Sequence, residues 1–399
     1  MIILDCVICV ICAIWLSPLL YLFILVVGKV FNKTRKTALL KNRGHVDKKV
    51  DNIIFQIPTV GNVKSVNKIL ETVKNYALPV PLETWVIVED LDTHKAEYVC
   101  DKVVVVPPDF VCEDLYKGRA LEYARRVRQK LVDEGKLGPN YLLLQGDDDA
   151  VPSLEFIKEC LTIQADIVIG TITPQVNGVW NTILDYERCV ACGIFCNFFT
   201  NFGHPLWAHG EGTCMSGQVD RNVSYDISVF THNTTHKLIT NEDSFYFHKA
   251  SVMGYSTFNS EERIFILPPL TFMDAVTQRR RWFWGQVSIL KLKMLPLSNR
   301  IRLSIIGFSG LWLFSIGMLG LPLYYLGIVK IPAVLLPFIF MTLGIWLAIR
   351  AYTIGKCMGW KHAIAGTATS YITVAMNFIV HIIGLAKGDP KKFEVIRKE

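Results

Sequence analysis

Residues 141–152 read YLLLQGDDDAVP, a short apolar run that ends in three consecutive aspartates. An apolar run of this length, bounded by turn residues, is typical of a buried β-strand. Similar runs predict further strands at residues 53–59, 84–88, 103–106 and 165–170. Segments with helical spacing separate these strands at residues 64–76 and 118–134. The alternation predicts an α/β fold with a doubly wound, mainly parallel sheet.

Acidic side chains follow two of the predicted strands. In open α/β sheets ligands bind beyond the carboxyl ends of the strands, where Asp90 and the three aspartates lie. Alternate carboxylates can hold a divalent cation, which favours a metal site at Asp147 and Asp149. An alternative of equal weight is that Asp149 caps a helix that starts near Ser153. The sequence contains neither a G-x-G-x-x-G nor a Walker pattern, so dinucleotide-binding and P-loop folds are not supported.

The composition points to a membrane protein. Of the 399 residues, 51% are hydrophobic and 19% charged, which excludes a disordered chain and argues against a wholly soluble one. Residues 7–27 carry no charge and are long enough to cross a hydrocarbon core of ~30 Å. Eight Lys or Arg residues between Lys29 and Lys49 follow, and the positive-inside rule places them in the cytoplasm. A cleaved signal peptide fits poorly, because the basic cluster follows the apolar run.

Three more apolar stretches, at residues 303–329, 331–349 and 363–386, are candidates for membrane helices. Three crossings would leave the C terminus outside the cell, whereas the basic tail at residues 387–399 favours the cytoplasm. One stretch could therefore be re-entrant, or one could be a tight helical pair. We expect a multi-pass integral membrane protein whose large domain is cytoplasmic.

The eleven cysteines show no disulfide pattern and favour a reducing compartment. Cys189, Cys192 and Cys196 recur at helical spacing, in a segment over residues 180–199 that resembles an interfacial helix. A fully buried helix is the alternative. Cys189-x-x-Cys192 could be half of a metal site, but no second pair follows at a zinc-like spacing, so buried thiols are preferred.

Two further clusters carry charge. Glu242-Asp243 could be catalytic or could cap a helix whose periodicity begins at Phe245. Residues 278–282 read QRRRW, and these arginines could lie at a membrane surface. Alternatively, an arginine of this cluster could clamp a diphosphate while the Trp282 ring stacks on a sugar.

The order of these motifs is specific: an acid after the second strand, D-x-D after the fourth, E-D about a hundred residues later, then Q-x-x-R-W before a membrane helix. It resembles the membrane-integrated family 2 glycosyltransferases of the GT-A fold, which include cellulose, chitin and hyaluronan synthases. The similarity is greatest to the egghead-type β-1,4-mannosyltransferases. It covers roughly residues 53–300, through YKGRALEYARR, ITPQVNGVWNTILDYERC, HPLWAHGEGTCMSG and TNEDSFYF.

The resemblance implies a role for each matching position. It implies donor binding by Thr59, Asp90, Lys117, Asp147, Gln278 and Arg281. It implies that Asp147 and Asp149 bind Mg²⁺ or Mn²⁺, and that Asp243 is the general base with Glu242 beside it. It implies acceptor binding by Trp282, Gly212, Thr213 and Cys214. Asn241 departs from several polysaccharide synthases, which carry Thr before the Glu-Asp pair.

The implied reaction is metal-dependent, inverting transfer of a sugar from a nucleotide-diphosphate donor, GDP-mannose or a UDP-sugar, to a membrane-associated acceptor. The expected partners are that donor, a lipid-linked or glycan acceptor and the lipid bilayer, with no nucleic acid. A processive UDP-sugar polysaccharide synthase is the alternative, although four apolar segments are few for a channel. A non-enzymatic transporter or scaffold is more remote, since the apolar segments are nearly free of charge.

These expectations divide the chain into six regions. They are an anchor at 1–30, a basic cytoplasmic linker at 31–52, a GT-A glycosyltransferase domain at 53–265, a Q-x-x-R-W and interfacial region at 266–302, membrane helices at 303–386 and a basic tail at 387–399.

Overall fold

A mixed eight-stranded sheet forms the centre of the molecule. The computed structural model describes residues 2–41, 49–112, 114, 116–176, 178–203, 205, 209–226, 241–292, 295–304, 325–327, 334 and 336–389. The strands are β1 (Ile53–Pro58), β2 (Leu82–Glu89), β3 (Lys102–Val106), β4 (Leu142–Gln145), β5 (Ala150–Pro152), β6 (Ile167–Pro174), β7 (Thr213–Ser216) and β8 (Thr257–Ile266).

Helices cover the sheet and extend away from it. In the first half of the chain they are α1 (Ile2–Lys41), α2 (Val63–Lys74), α3 (Lys117–Asp133), α4 (Leu154–Thr162), α5 (Val179–Ala191) and α6 (Asn197–Asn201), with a π-helical turn at Cys192–Cys196 between the last two. The second half contains α7 (Gly217–Asn222), α8 (Glu242–Val252), α9 (Phe272–Leu290), α10 (Leu297–Arg302), α11 (Leu336–Met358), α12 (Trp360–Ala368) and α13 (Ser370–Ala386).

The strand order is β3-β2-β1-β4-β7-β6-β8-β5. The first four strands are parallel, as the sequence predicts. In the other half, β6 and β8 are parallel to each other, whereas β7 runs antiparallel to both β4 and β6 and β5 runs antiparallel to β8. The sheet is therefore mixed, and only β5 and β7 depart from the predicted parallel arrangement. Strand β5 has only three residues, and β7 reads TCMS, which is not a continuous apolar run, so neither strand stands out in the sequence.

The central strands bury side chains on both faces. Phe55 and Leu144 pack on one side with α2 and α4, while Ile54 and Leu143 pack on the other with α3 and α8. This alternation follows from the two-residue period of a strand. Because β1, β2 and β4 are parallel, their carboxyl ends lie at the same edge of the sheet.

The first helix continues further than the sequence predicts. Residues 31–41, which the sequence analysis assigns to a linker, belong to α1. The basic half of α1 packs on the domain: Lys29 pairs with Glu261 at 2.5 Å, and the Asn32 amide donates to the Asn259 carbonyl at 2.7 Å. The expected anchor at residues 7–27 falls within α1, whose side chains are described from Pro18 onward.

Within the described residues, α11 is the one helix long and apolar enough to cross a membrane, and α12 with α13 pass the same test as a pair bent by 69°. The predicted stretch at 363–386 is therefore a bent helical pair, which agrees with the alternatives left open for one of the apolar stretches. The predicted stretch at 303–329 lies mostly outside the described residues. Arg350, one residue beyond the predicted 331–349 stretch, is buried inside α11 and pairs with Glu187 of α5.

The segment at residues 180–199 is not an interfacial helix. Leu184, Val190 and Phe195 are buried, although Trp180 at its start is exposed. Helices α1, α11 and α13 cover α5, the π-helical turn and α6. The alternative of a buried helix is therefore correct for most of this segment.

Candidate active site

The three aspartates occupy the turn between β4 and β5. The Lys117 ammonium, on the first residue of α3, lies 2.5 Å from Asp147 Oδ1. Asp149 is buried, and it does not cap a helix: Ser153 accepts the backbone N–H of Phe156 and caps α4 instead. The N-cap alternative for Asp149 is therefore wrong. The charge of its carboxylate acts on Asp147 instead.

Lys117 also contacts the Glu242-Asp243 motif. Lys117 Nζ lies 3.2 Å from Glu242 Oε1, on the first turn of α8. Burial raises the pKa of the Asp147 carboxyl to about 7, against the opposing effect of the Lys117 charge. One partly exposed ammonium group thus joins two acidic motifs that are far apart in the chain.

Asp243 is held by two backbone donors. Its Oδ2 accepts the N–H of Gly210 at 2.8 Å, and its Oδ1 accepts the N–H of Ser244 at 2.7 Å. Asn241, not Glu242 or Asp243, stands at the N-cap position of α8. Burial, followed by the charge of Glu242, raises the pKa of Asp243 to about 6. The carboxylate is therefore fixed in place and ionised at neutral pH.

The loop that carries Gly210 is pinned to the sheet. Gly212 donates to the Gln145 carbonyl at 2.9 Å and has a φ of +99°, and a Cβ there would lie 2.3 Å from Ile264. The Thr213 hydroxyl donates to the His209 carbonyl at 2.8 Å. Thr213 and Cys214, which the sequence analysis expects at the acceptor, are buried within β7. They position the loop.

An ion pair that the sequence analysis did not single out lies between the motifs. Arg188 of α5 pairs with Glu211 of the loop, and its guanidinium lies 5.1 Å from the centre of the Trp282 ring. Burial opposes the ionised form of Glu211, but Arg188 lowers the pKa of that carboxyl to about 2. The Glu211 charge also acts on Asp147 and Asp243. Both residues lie in quoted motifs, but only the tertiary contact shows their role.

The QRRRW cluster lies in the middle of α9. Arg279 is buried, donates to Asp185 Oδ1 at 2.9 Å and to Gln278 Oε1 at 2.7 Å, and stacks 4.5 Å from the Trp282 ring centre. Arg281 is half-buried two residues later. The arginine that joins Gln278 to the ion-pair network is therefore Arg279.

Asn241 links the two helices that carry these motifs. Its amide donates to the Trp282 carbonyl at 3.3 Å. A Cβ on Gly285 of α9 would lie 2.6 Å from the Asn241 side chain, so α8 and α9 approach closely here. The residue that departs from the synthase pattern thus makes a contact between α8 and α9.

Two of the expected donor-binding residues, Thr59 and Asp90, differ in their distance from the aspartates. Thr59 and Asn62 direct their side chains toward Asp148 Oδ2, at 3.3 and 3.4 Å. Asp90 lies further out and pairs with Lys95 at 3.0 Å, with about half of its side chain exposed. The structure therefore places Thr59 beside the aspartates and Asp90 at the rim.

Comparison with known proteins identifies the class. A family model described as "Glycosyl transferase family group 2" matches residues 143–351, more than half of the chain, and the chain belongs to that family. The predicted membership of a glycosyltransferase family is therefore confirmed.

Two known proteins are similar to this chain. The chain is 25% identical over 250 residues to "Beta-1,4-mannosyltransferase egh" of Drosophila melanogaster, a match that covers 59% of this chain and 52% of that protein. The chain thus spans about half the length of the curated relative it matches. The fold is shared with the "Mannosyltransferase PcManGT from Pyrobaculum calidifontis in complex with GDP-Man and Mn2+", with a TM-score of 0.52 at 13% identity over 96% of this chain and 98% of that one.

Proposed function

We propose that this glycosyltransferase transfers mannose from GDP-mannose to a membrane-associated acceptor, with inversion at the anomeric carbon. The observation that carries the proposal is the position of Lys117, which contacts both Asp147 and Glu242. The contact brings the D-x-D and Glu-Asp motifs together at one end of the sheet. Leaving-group stabilisation and proton removal can then occur side by side.

The charges of the site fit a divalent cation. Among the described residues, the carboxylates of Asp147, Asp149, Glu211, Glu242 and Asp243 interact electrostatically there. Lys117 contacts Asp147 and Glu242, and Arg188 contacts Glu211. Carboxylate oxygens are the ligands that Mg²⁺ and Mn²⁺ prefer. We assign Asp147 and Asp149 as the residues that would hold such an ion. When bound, it supplies positive charge for the donor diphosphate.

Asp243 serves as the general base in this proposal. Its pKa of about 6 leaves it ionised at pH 7 and basic enough to accept a proton from an acceptor hydroxyl. The N–H groups of Gly210 and Ser244 orient the carboxylate. The acceptor oxygen forms its bond to the anomeric carbon while the bond to the diphosphate breaks. A single displacement of this kind converts an α-linked donor into a β-linked product.

The choice of GDP-mannose rests on the two named relatives. One is a β-1,4-mannosyltransferase, and the other was solved with GDP-Man and Mn²⁺. UDP-sugars remain the alternative donors. Trp282 is the proposed acceptor platform, because two guanidinium groups, those of Arg188 and Arg279, hold its ring.

We also propose that the protein is a multi-pass membrane protein with a cytoplasmic catalytic domain. Large apolar side chains are exposed on helices that extend from the domain, at Leu20, Phe23, Phe340, Ile372 and Ile379. Exposed apolar surface of this kind marks contact with a membrane or a partner. The lipid bilayer would bring a lipid-linked acceptor to the same side as the active site.

The test uses the full-length protein in lipid nanodiscs. It is incubated with radiolabelled GDP-mannose or UDP-sugars and a glycolipid acceptor, and the product is sized and digested with an anomer-specific mannosidase. We expect one β-linked mannose per acceptor. Long polymers made from a UDP-sugar would instead support the polysaccharide synthase.

The matched variants are Asp243→Asn and Asp133→Asn, the latter at an exposed carboxylate on α3. Asp243→Asn should retain donor binding and lose transfer by about 10²–10⁴-fold, whereas Asp133→Asn should behave as wild type. Transfer by Asp243→Asn at the wild-type rate would contradict the assignment of the base.

A further inference from the structure

A second cluster of metal-ligating side chains lies beside the carboxylate site. Cys192 Sγ lies 3.1 Å from His209 Nε2, and Cys196 Sγ lies 3.4 Å from the same nitrogen. The two sulfur atoms are 4.0 Å apart. Within the described residues, these three side chains form a group whose ligand atoms all lie within 4.8 Å of one another.

The distances fit tetrahedral coordination. Zinc lies ~2.3 Å from a Cys sulfur and ~2.0–2.1 Å from a His nitrogen, which places two sulfur ligands ~3.8 Å apart and a sulfur ~3.5 Å from a nitrogen. The three measured separations, 4.0, 3.1 and 3.4 Å, are close to those values. We propose that Cys192, Cys196 and His209 bind a zinc ion.

Local structure explains why these two thiols point the same way. They stand at the two ends of the π-helical turn between α5 and α6, four residues apart, so they share one face. π-Helical turns inside longer helices are frequent at functional sites. Both cysteines are buried, while the half-buried His209 comes from the active-site loop.

The pair that the sequence analysis considered and set aside, Cys189 and Cys192, does not form this cluster. The Cys189 thiol lies one turn earlier and interacts with Cys357 of α11. The zinc ligands are instead C-x₃-C followed by a histidine thirteen residues later, a spacing that a search for paired C-x-x-C motifs does not find.

This site differs in chemistry from the carboxylate site. Thiolate and imidazole ligands select zinc, whereas carboxylates select Mg²⁺ or Mn²⁺. Zinc binding releases the two thiol protons to solvent, and two thiolates then balance the charge of the ion. With three protein ligands, the fourth position is filled by water.

The ion would fix the loop to the helix. His209 immediately precedes Gly210, whose N–H donates to Asp243. In this respect alone the inference rests on the proposed function: zinc would act as a positioning element for the base. Zinc content itself does not depend on which sugar is transferred, so the two proposals can fail separately.

The test measures metal in the full-length protein, purified in nanodiscs through a tag that contains no histidine. Elemental analysis after dialysis against excess Mg²⁺ should find about one zinc per chain. Replacement of zinc by Co²⁺ should produce visible d–d bands and a sulfur-to-cobalt charge-transfer band. Mn²⁺ should not displace the zinc.

Cys192→Ser and Cys196→Ser should each lose the zinc, whereas the matched control Cys189→Ser on the same helix should retain it. If the Cys192 and Cys196 variants fail to fold, the cobalt spectrum of the wild-type protein decides the question. Wild-type protein that takes up neither zinc nor cobalt would overturn the proposal. Equal zinc in Cys192→Ser and Cys189→Ser would overturn it as well.

Discussion

The backbone N–H of Gly210 donates a 2.8 Å hydrogen bond to the carboxylate of Asp243. No larger residue fits at position 210 without displacing its neighbours, because a Cβ there would lie 2.8 Å from Lys117 Nζ and 3.0 Å from Asp243 Oδ2. The loop glycine therefore sets the position of the proposed base and of the lysine that joins the two acidic motifs.

Gly210→Ala should reduce transfer with little loss of stability. The added methyl group moves Asp243 and Lys117, and a misplacement of about 1 Å can cost roughly 10²-fold in rate. Steady-state rates at saturating GDP-mannose measure the effect. Gly344→Ala is the control, because a Cβ on that helical glycine meets no atom within 4 Å. Equal rates for the two variants would contradict the role of Gly210.

The acidic limb of the profile of transfer rate against pH should reflect the protonation of Asp243. Its pKa is raised to about 6, so the base is protonated below that pH and transfer should rise as pH increases through 6. Measurement at saturating metal and donor keeps Asp147 coordinated. Glu242→Gln removes a negative charge that raises this pKa, so the limb should move to lower pH. If the acidic limb of the Glu242→Gln variant stays at the wild-type pH, Asp243 is not the group that titrates there.

The same shift has a consequence for stability. Because the pKa is raised above its ordinary value of 3.8, the folded state binds the Asp243 proton more tightly than the unfolded state. The contribution of this group to the free energy of unfolding should therefore decrease as pH rises from 3.8 to about 6. Urea unfolding of wild type and Asp243→Asn at both ends of that range would show the difference.

Asp149→Ala should abolish transfer while the protein stays folded. The change removes a proposed oxygen ligand from the turn after β4 and leaves the core of the sheet intact. Wild-type activity should be lost with a chelator and restored by Mn²⁺ or Mg²⁺, whereas the variant should not recover. Wild-type transfer that resists the chelator would count against the metal assignment.

Arg350→Met should destabilise the packing of α11 on α5. Arg350 is fully buried and pairs with Glu187, and removal of one partner of a buried pair typically costs about 3–5 kcal/mol. Thermal unfolding in nanodiscs measures the loss. The double variant with Glu187→Gln should recover part of it, because no uncompensated charge remains. The exposed Lys356→Met is the control, and a similar loss there would contradict the argument.

Local sequence patterns determined the parallel half of the sheet. Strands β1, β2, β3 and β4, and the helices α2 and α3 between them, follow from apolar periods within about ten residues. The acids at the end of β4 could also be predicted from a local pattern, because they directly follow the strand in the sequence. Motif order identified the class of enzyme, which the family match confirms.

Tertiary structure alone decided the features that no local sequence pattern predicts. The short antiparallel strand β7 has no period of its own, and it places Cys214 in the core where the sequence suggested an acceptor contact. The pair Arg188–Glu211 and the pair Asp185–Arg279 join residues 23 and 94 positions apart. The cluster of Cys192, Cys196 and His209 depends on a π-helical turn meeting a distant loop. The sequence names each side chain but not the residue that it contacts. Such residues come together only when the sheet and its covering helices pack.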